Sequence, residues 1–272
     1  MTKAVVTAGR NSDTKVEGTW NLAAEDADKL PTVGTSEKYT LVFTPTGSDV
    51  DTYDSVTCEV TPEVSKKQIT VVIADKEKFY GETNPALAWS LATGAAYLDN
   101  VLVADDTEEA LGISLSTTAK DNSGVGTYAI TGTSDSANYE VSFIGNGSDG
   151  KSGILTVKKA ASPNIGDEEK SYTYAAGSDG KAISVNIAGK LPTDRGTTAY
   201  ALTNTYNEQL LSDVAVDQDG KLTYKVKEAD KSQVGATATI TVTASMLNYE
   251  DAVYTMTIKI TDKKLVTLKS GN

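Results

Sequence analysis

Few residues in this chain could do chemistry. Histidine is absent and cysteine occurs once, at Cys58. Ser-His and Cys-His nucleophilic catalysis, His-rich zinc sites and an intrachain disulfide are therefore excluded. Carboxylates supply what remains. Asp105-Asp106, Glu108-Glu109 and Glu168-Glu169 are adjacent pairs, whereas acid–base cleavage of a glycosidic bond needs two carboxyls facing each other across roughly 5 to 9 Å. Sequence neighbours do not face each other in this way, so the pairs read as exposed loop acids. Asp49, Asp51 and Asp54, and separately Asp217 with Asp219, offer hard oxygen ligands for calcium. Neither set has the twelve-residue EF-hand pattern, and Asp commonly accepts the backbone N–H groups of its own turn. Solvated turn acids are expected, with no metal, no cofactor and no enzyme activity.

The remaining candidates are weighed in the same way. Gly124-Val-Gly126 and Gly145-Asn-Gly147 precede no helix, so neither cradles phosphate at a helix N-terminus. Trp20 and Trp89 are of the type that stacks on sugar rings, but Trp89 sits in the alternating run Ala86-Leu-Ala-Trp-Ser-Leu91. Both tryptophans are assigned to the core. Cys58 falls in phase with Val56 and Val60 and is expected to be a buried, inert thiol. No sequence rule selects a Lys–Asn or Lys–Asp pair for an isopeptide crosslink.

Behind these residues stand 272 positions, long for one average domain and comfortable for two or three small ones. With 25 basic and 37 acidic residues the net charge is −12, the wrong sign for holding phosphate backbones, so no nucleic-acid partner is expected. The hydrophobic fraction is 39%, and no run reaches the roughly 18 apolar residues of a spanning helix. Residues 1–20 lack a signal-peptide core, and the chain ends on Leu-Lys-Ser-Gly-Asn272 without a terminal motif. An excised piece of a larger protein is the expectation.

Short runs rich in Val, Ile, Thr and Tyr recur, among them 39–43, 69–73, 154–157 and 254–260. Their period-two alternation predicts strands. Between them lie turn clusters at 45–48, 145–150, 177–180 and 217–220. Asp219-Gly220, flanked by 214–216 and 221–226, predicts a hairpin closed by a type I′ turn. Residues 106–111 and 207–211 could each make a helical turn and are read as loop decoration.

A loose repeat organises these strands. Val33-Gly-Thr35 leads to Thr52-Tyr53, Val125-Gly-Thr127 to Asn138-Tyr139, and Val234-Gly-Ala236 to Asn248-Tyr249. A long strand then runs into Ser65-Lys-Lys67, Lys158-Lys159 or Asp262-Lys-Lys264, the second of these strands continuing from 140 to 157. Boundaries near 67 and 160 follow. Gly126-Thr-Tyr128 best fits a tyrosine corner, in which the phenol turns back onto an upstream backbone group. Each Asn-Tyr pair is expected to start a last strand, with the ring covering one sandwich end.

Residues 69–89, running through Lys78-Phe-Tyr-Gly81 and Asn84-Pro85 to Trp89, resemble the MBG family of bacterial Ig-like modules. Ala92-Thr-Gly94, Gly124–Ile130 and Asn138-Tyr139 extend the likeness over roughly 68–159. The resemblance implies a tandem array on a secreted or cell-surface bacterial protein, used as an adhesin, a stalk or an accessory region, with no catalytic residue to carry over. The complete expectation is all-β: three tandem immunoglobulin-like β-sandwich modules in an elongated array. They are an Ig-like module at 1–67, an MBG-type module at 68–159, and an Ig-like module with a short C-terminal tail at 160–272. The expected role is a non-enzymatic extracellular spacer, stalk or adhesin region. The alternative is a module binding a glycan or a host or extracellular-matrix protein. A monomer is expected from Lys and Asp on the edge strands.

Overall fold

The computed structural model describes residues 14–262. The chain start and the junction residues Lys263 and Lys264 lie outside the described residues. Every described helix is a 3-10 turn of three or four residues, and all other regular structure is strand. No helix among the described residues is long and apolar enough to cross a membrane.

The first sheet has the order β1 (Gly18–Leu22), β2 (Tyr39–Pro45), β3 (Val56–Val60), antiparallel throughout. Central β2 buries Tyr39 and Phe43, while every residue of β3 is exposed. Gly18, paired with Pro45, leaves room for the ring of Phe43, with which an added Cβ would collide.

Seven strands follow: β4 (Lys67–Ile73), β5 (Lys76–Phe79), β6 (Trp89–Leu91), β7 (Ile113–Thr117), β8 (Gly126–Ser134), β9 (Tyr139–Ile144) and β10 (Gly153–Lys158). They form a three-stranded sheet, β6-β4-β9, and a four-stranded one, β5-β10-β8-β7. The pairs β4–β9 and β5–β10 are parallel. Alternation over 69–73 places Ile69, Val71 and Ile73 inside, as period two requires.

The last seven strands are β11 (Glu168–Thr173), β12 (Ile183–Asn186), β13 (Thr198–Leu202), β14 (Leu211–Val216), β15 (Lys221–Val226), β16 (Thr237–Met246) and β17 (Ala252–Thr261). They form a four-stranded sheet, β11-β17-β16-β13, and a three-stranded one, β12-β15-β14, with β11 parallel to β17. The long strands β16 and β17 alternate without a break. Ala238, Ile240, Val242, Ala244 and Met246 line up with Ala252, Tyr254, Met256, Ile258 and Ile260 in one core, joined by Leu222, Tyr224 and Val226 of β15.

By compactness the chain divides into two units. Of the described residues, one holds those up to Val72 together with Trp89–Leu115 and Gly132–Ile144; the other holds Ile73–Ala88, Ser116–Thr131 and those from Gly145 onward.

Several expectations are corrected. The strand foreseen from 140 to 157 is two strands in different sheets, because Asp149 caps a turn between them by accepting the N–H groups of Lys151 and Ser152 at 2.9 Å each. Glu168-Glu169 opens β11 rather than lying in a loop. The 217–220 hairpin forms, but Asp219 is not left-handed, so the turn is not type I′. Gly220 N donates to Asp217 O at 3.1 Å and Gly220 has φ +74°, which is a type I turn closed by a glycine bulge. Residues 108–111 form a 3-10 turn and 208–210 only a hydrogen-bonded turn leading into β14, yet both are more than decoration, since Leu111 and Leu210 are fully buried. The repeat is also only partly equivalent: Asn248-Tyr249 joins two neighbouring strands of one sheet, whereas Asn138-Tyr139 joins strands of different sheets.

Candidate functional site

The functionally suggestive side chains are those that turn the ends of strands. Tyr128, on β8, donates its hydroxyl to Gly124 O at 2.9 Å, so the tyrosine corner foreseen at 126–128 forms. Tyr139 opens β9 and is 2% exposed. Its hydroxyl donates to Asp106 Oδ2 at 2.6 Å and accepts from Val103 N–H at 2.9 Å. Burial, then the Asp106 bond, pushes this phenol up. Tyr139 thus starts a strand with its ring buried, but β10 follows, so this is not the module's last strand as expected; Asp106 of the Asp105-Asp106 pair is its hydrogen-bond acceptor.

Lys78 escaped sequence reasoning. It sits in the short polar run Lys76–Phe79, where alternation turns it inward and leaves it 4% exposed. Its ammonium forms no ion pair among the described residues. Instead it donates to Glu82 O and Lys120 O at 2.8 Å and to Asp121 O at 3.1 Å. Three carbonyls from two loops thus converge on one fixed cation, and the Tyr80-Gly81 turn is held against residues 120–121. Its place in the Lys78-Phe-Tyr-Gly81 run marked it only as part of a resemblance; a lysine inside an alternating strand is the signal for its burial.

Beside this cage, side chains distant in sequence meet in a polar cluster, the junction. Tyr80 donates to the backbone O and to Oδ2 of Asp194, both at 3.2 Å. Tyr249 donates to Asp194 Oδ1 at 3.1 Å, and the two rings meet edge to face with centroids 5.6 Å apart. Asn248, 7% exposed, donates from Nδ2 to Asp194 O at 2.8 Å and accepts from Val125 N–H at 3.3 Å. Ala160 N donates to Asn248 O at 2.9 Å and Glu250 N to Ala160 O at 2.8 Å, so the connecting chain is itself tied down. Burial, followed by the Asp194 carboxylate, raises both Tyr80 and Tyr249. Asp194 was not a sequence candidate; nothing local marks it.

The remaining candidates fall apart from one another. Cys58 is exposed, not buried. Alternation set its phase correctly, but Val56 and Val60 in the same phase are exposed as well, since β3 is the edge of a sheet with few covering groups. Trp20 is half-buried and tilted against Phe43 at 5.2 Å between ring centroids, rather than enclosed. Trp89 is half-buried, packing on the cluster of Ile69, Val71, Leu111 and Tyr139. Its other side opens onto a groove lined by Glu108, Glu109, Gly112, Ile113, Ser114 and Asp135. Asp49 accepts from Glu17 N–H at 2.9 Å, and Asp217 from Asp219 and Lys221 N–H at 3.0 and 2.8 Å. Asp217 acts as a turn acid, whereas the Asp49 carboxylate ties down backbone 32 positions away. No group of three metal-ligating side chains occurs among the described residues. Glu168 pairs with Lys190 at 2.7 Å, which lowers its carboxyl.

These strands and corner tyrosines define an all-β modular protein. Residues 69–148 match the family model of the MBG domain (YGX type), and the Tyr80-Gly81 step of that segment is the one at the junction. No curated protein matches the chain. Among solved structures it is similar to Drosophila N-cadherin EC1-3, at 11% identity, covering 95% of this chain and 92% of that one, with a TM-score of 0.27. Mouse cadherin-23 EC22-24 follows at 10% identity, 83% and 74% coverage and a TM-score of 0.28. The endo-fucoidan hydrolase MfFcnA4 of glycoside hydrolase family 107 has 11% identity and a TM-score of 0.24; the match covers 92% of this chain but only 39% of the hydrolase. Likeness at this level carries no argument about function.

Proposed function

We propose that the chain is a non-enzymatic, extracellular spacer region of a bacterial surface or secreted protein, built from modules at 1–67, 68–159 and 160–272. The junction carries this reading. Modules in one chain move relative to one another by default unless something fixes them. Here Tyr80, Asp194, Asn248 and Tyr249 interlock across the second boundary, and Ala160 is bonded through both its N–H and its C=O to residues 248–250. A spacer needs a boundary of this kind. The MBG match supports the extracellular placement, and the absence of histidine argues against an acid–base enzyme.

The test is a distance distribution between spin labels placed on exposed positions of β10 and β15. A narrow distribution that broadens in Tyr80→Ala/Asn248→Ala is expected. An equally broad distribution in the unsubstituted chain would overturn the reading.

A further inference from the structure

We propose that the groove beside Trp89 binds an extended, basic peptide segment of another protein. Three features of the groove converge on that ligand.

The first is charge. Glu108, Glu109 and Asp135 all line the groove, no lysine or arginine does, and none of the three is in an ion pair. Three uncompensated carboxylates around the half-buried indole of Trp89 form a site for a guanidinium or ammonium group, which is attracted both to anions and to the face of an aromatic ring.

The second is that the acids are held in place. Glu108 and Glu109 stand on the 3-10 turn Glu108–Leu111, whose Leu111 is fully buried. Ser136 donates to Ala110 O and Ser134 to Leu111 O, each at 2.6 Å, and Asp135 N donates to Gly112 O at 3.2 Å. Gly112 is left-handed at φ +54°, and a Cβ there would come within 1.9 Å of Asp135 Oδ1. The glycine is what allows the carboxylate to close on the turn.

The third is the sheet edge. Trp89 belongs to β6, which ends the sheet β6-β4-β9, and Ile113 and Ser114 belong to β7, which ends β5-β10-β8-β7. A terminal strand leaves a row of backbone groups unpaired, and an extended peptide can add to it while its alternate side chains enter a neighbouring groove. A strand added at residues 113–115 would bring its basic side chains over Glu108, Glu109 and Trp89. Carboxylates alone would suit any cation; the open edge selects an extended chain.

The test uses the full chain with Trp20→Phe, so that fluorescence reports Trp89 alone. The probe is a peptide of alternating Arg and Val, compared with its Glu-for-Arg counterpart, with the same peptide N-methylated at alternate residues, and with an amino-sugar oligomer. Saturable quenching by the Arg peptide is expected, together with slowed amide exchange at residues 113–115. The affinity should weaken at least tenfold in Glu108→Gln/Glu109→Gln and fall as salt screens the charges. N-methylation should abolish binding. Because the substituted glutamates are exposed, an unchanged melting temperature separates loss of the site from loss of the fold. Equal binding by the Glu or N-methylated peptide, binding of the amino-sugar oligomer alone, or no saturation would each overturn the proposal. Such a failure leaves the junction reading standing, since that rests on label distances.

Discussion

At the residue scale, a single buried lysine does what loop-bridging cations do elsewhere. Lys78 satisfies three carbonyls at 2.8 to 3.1 Å and forms no ion pair among the described residues. Lys78→Met keeps the stem and removes the donors, and should cost about 2 to 3 kcal/mol in a denaturant melt because the carbonyls lose a charged partner. A cost under about 0.5 kcal/mol would show that water replaces the ammonium freely. Tyr139 is the second anchor. Truncation to Ala should cost about 3 to 5 kcal/mol, whereas Tyr139→Phe should lose only about 1 kcal/mol from the bonds to Asp106 and Val103. A loss below about 1 kcal/mol in the Ala variant would contradict the 2% exposure of the ring. Cys58 is a different lesson, because a residue in the right phase of a strand is buried only if something covers that face.

At the element scale, the turns separate what alternation alone would join. Asp149 accepts two backbone N–H groups and the Ser152 hydroxyl, and those bonds hold its carboxyl down to about 2. Its folded value lies below its unfolded one, so its contribution is complete above about pH 4 and is lost as the pH falls toward 2. Glu168, lowered by Lys190, works in the same direction. The melting temperature should therefore drop on acidification below about pH 4, and Asp149→Asn should show a smaller drop than the unsubstituted chain. An identical acid response in both would remove Asp149 from the account. The strands themselves were largely legible: the runs at 39–43, 69–73, 154–157 and 254–260 all lie within strands. The 140–157 run misled because a polar, glycine-rich stretch reads equally as a bulge or as the crossing from one sheet to the other.

At the scale of the whole molecule, the three-segment reading expects an elongated particle. Small-angle scattering should give a radius of gyration well above the roughly 18 Å of a compact chain of this length. A value near that figure would overturn the spacer. In two of the sheets an early strand pairs in parallel with a late one, β5 with β10 and β11 with β17. No local pattern announced this, because the parallel partners lie 79 and 88 residues apart, Lys76 with Leu155 and Glu168 with Met256. The junction was hidden for the same reason: Tyr80 and Asp194 are separated by 114 positions.

The sequence by itself determined the chemistry that is missing, the all-β class, the tyrosine corner and the MBG resemblance over residues that the family model then matched. These depend on residue inventory, on the period of two and on motifs a few residues long, all of which are local. Only the tertiary structure decided which faces are covered, leaving Cys58 exposed and Trp20 and Trp89 half-buried while drawing Lys78 inside. It also decided which distant polar groups meet, bringing Asp194 to Tyr80 and Asn248. Burial and long-range pairing depend on what the rest of the chain places opposite a residue, and a strand's own alternation carries no record of that.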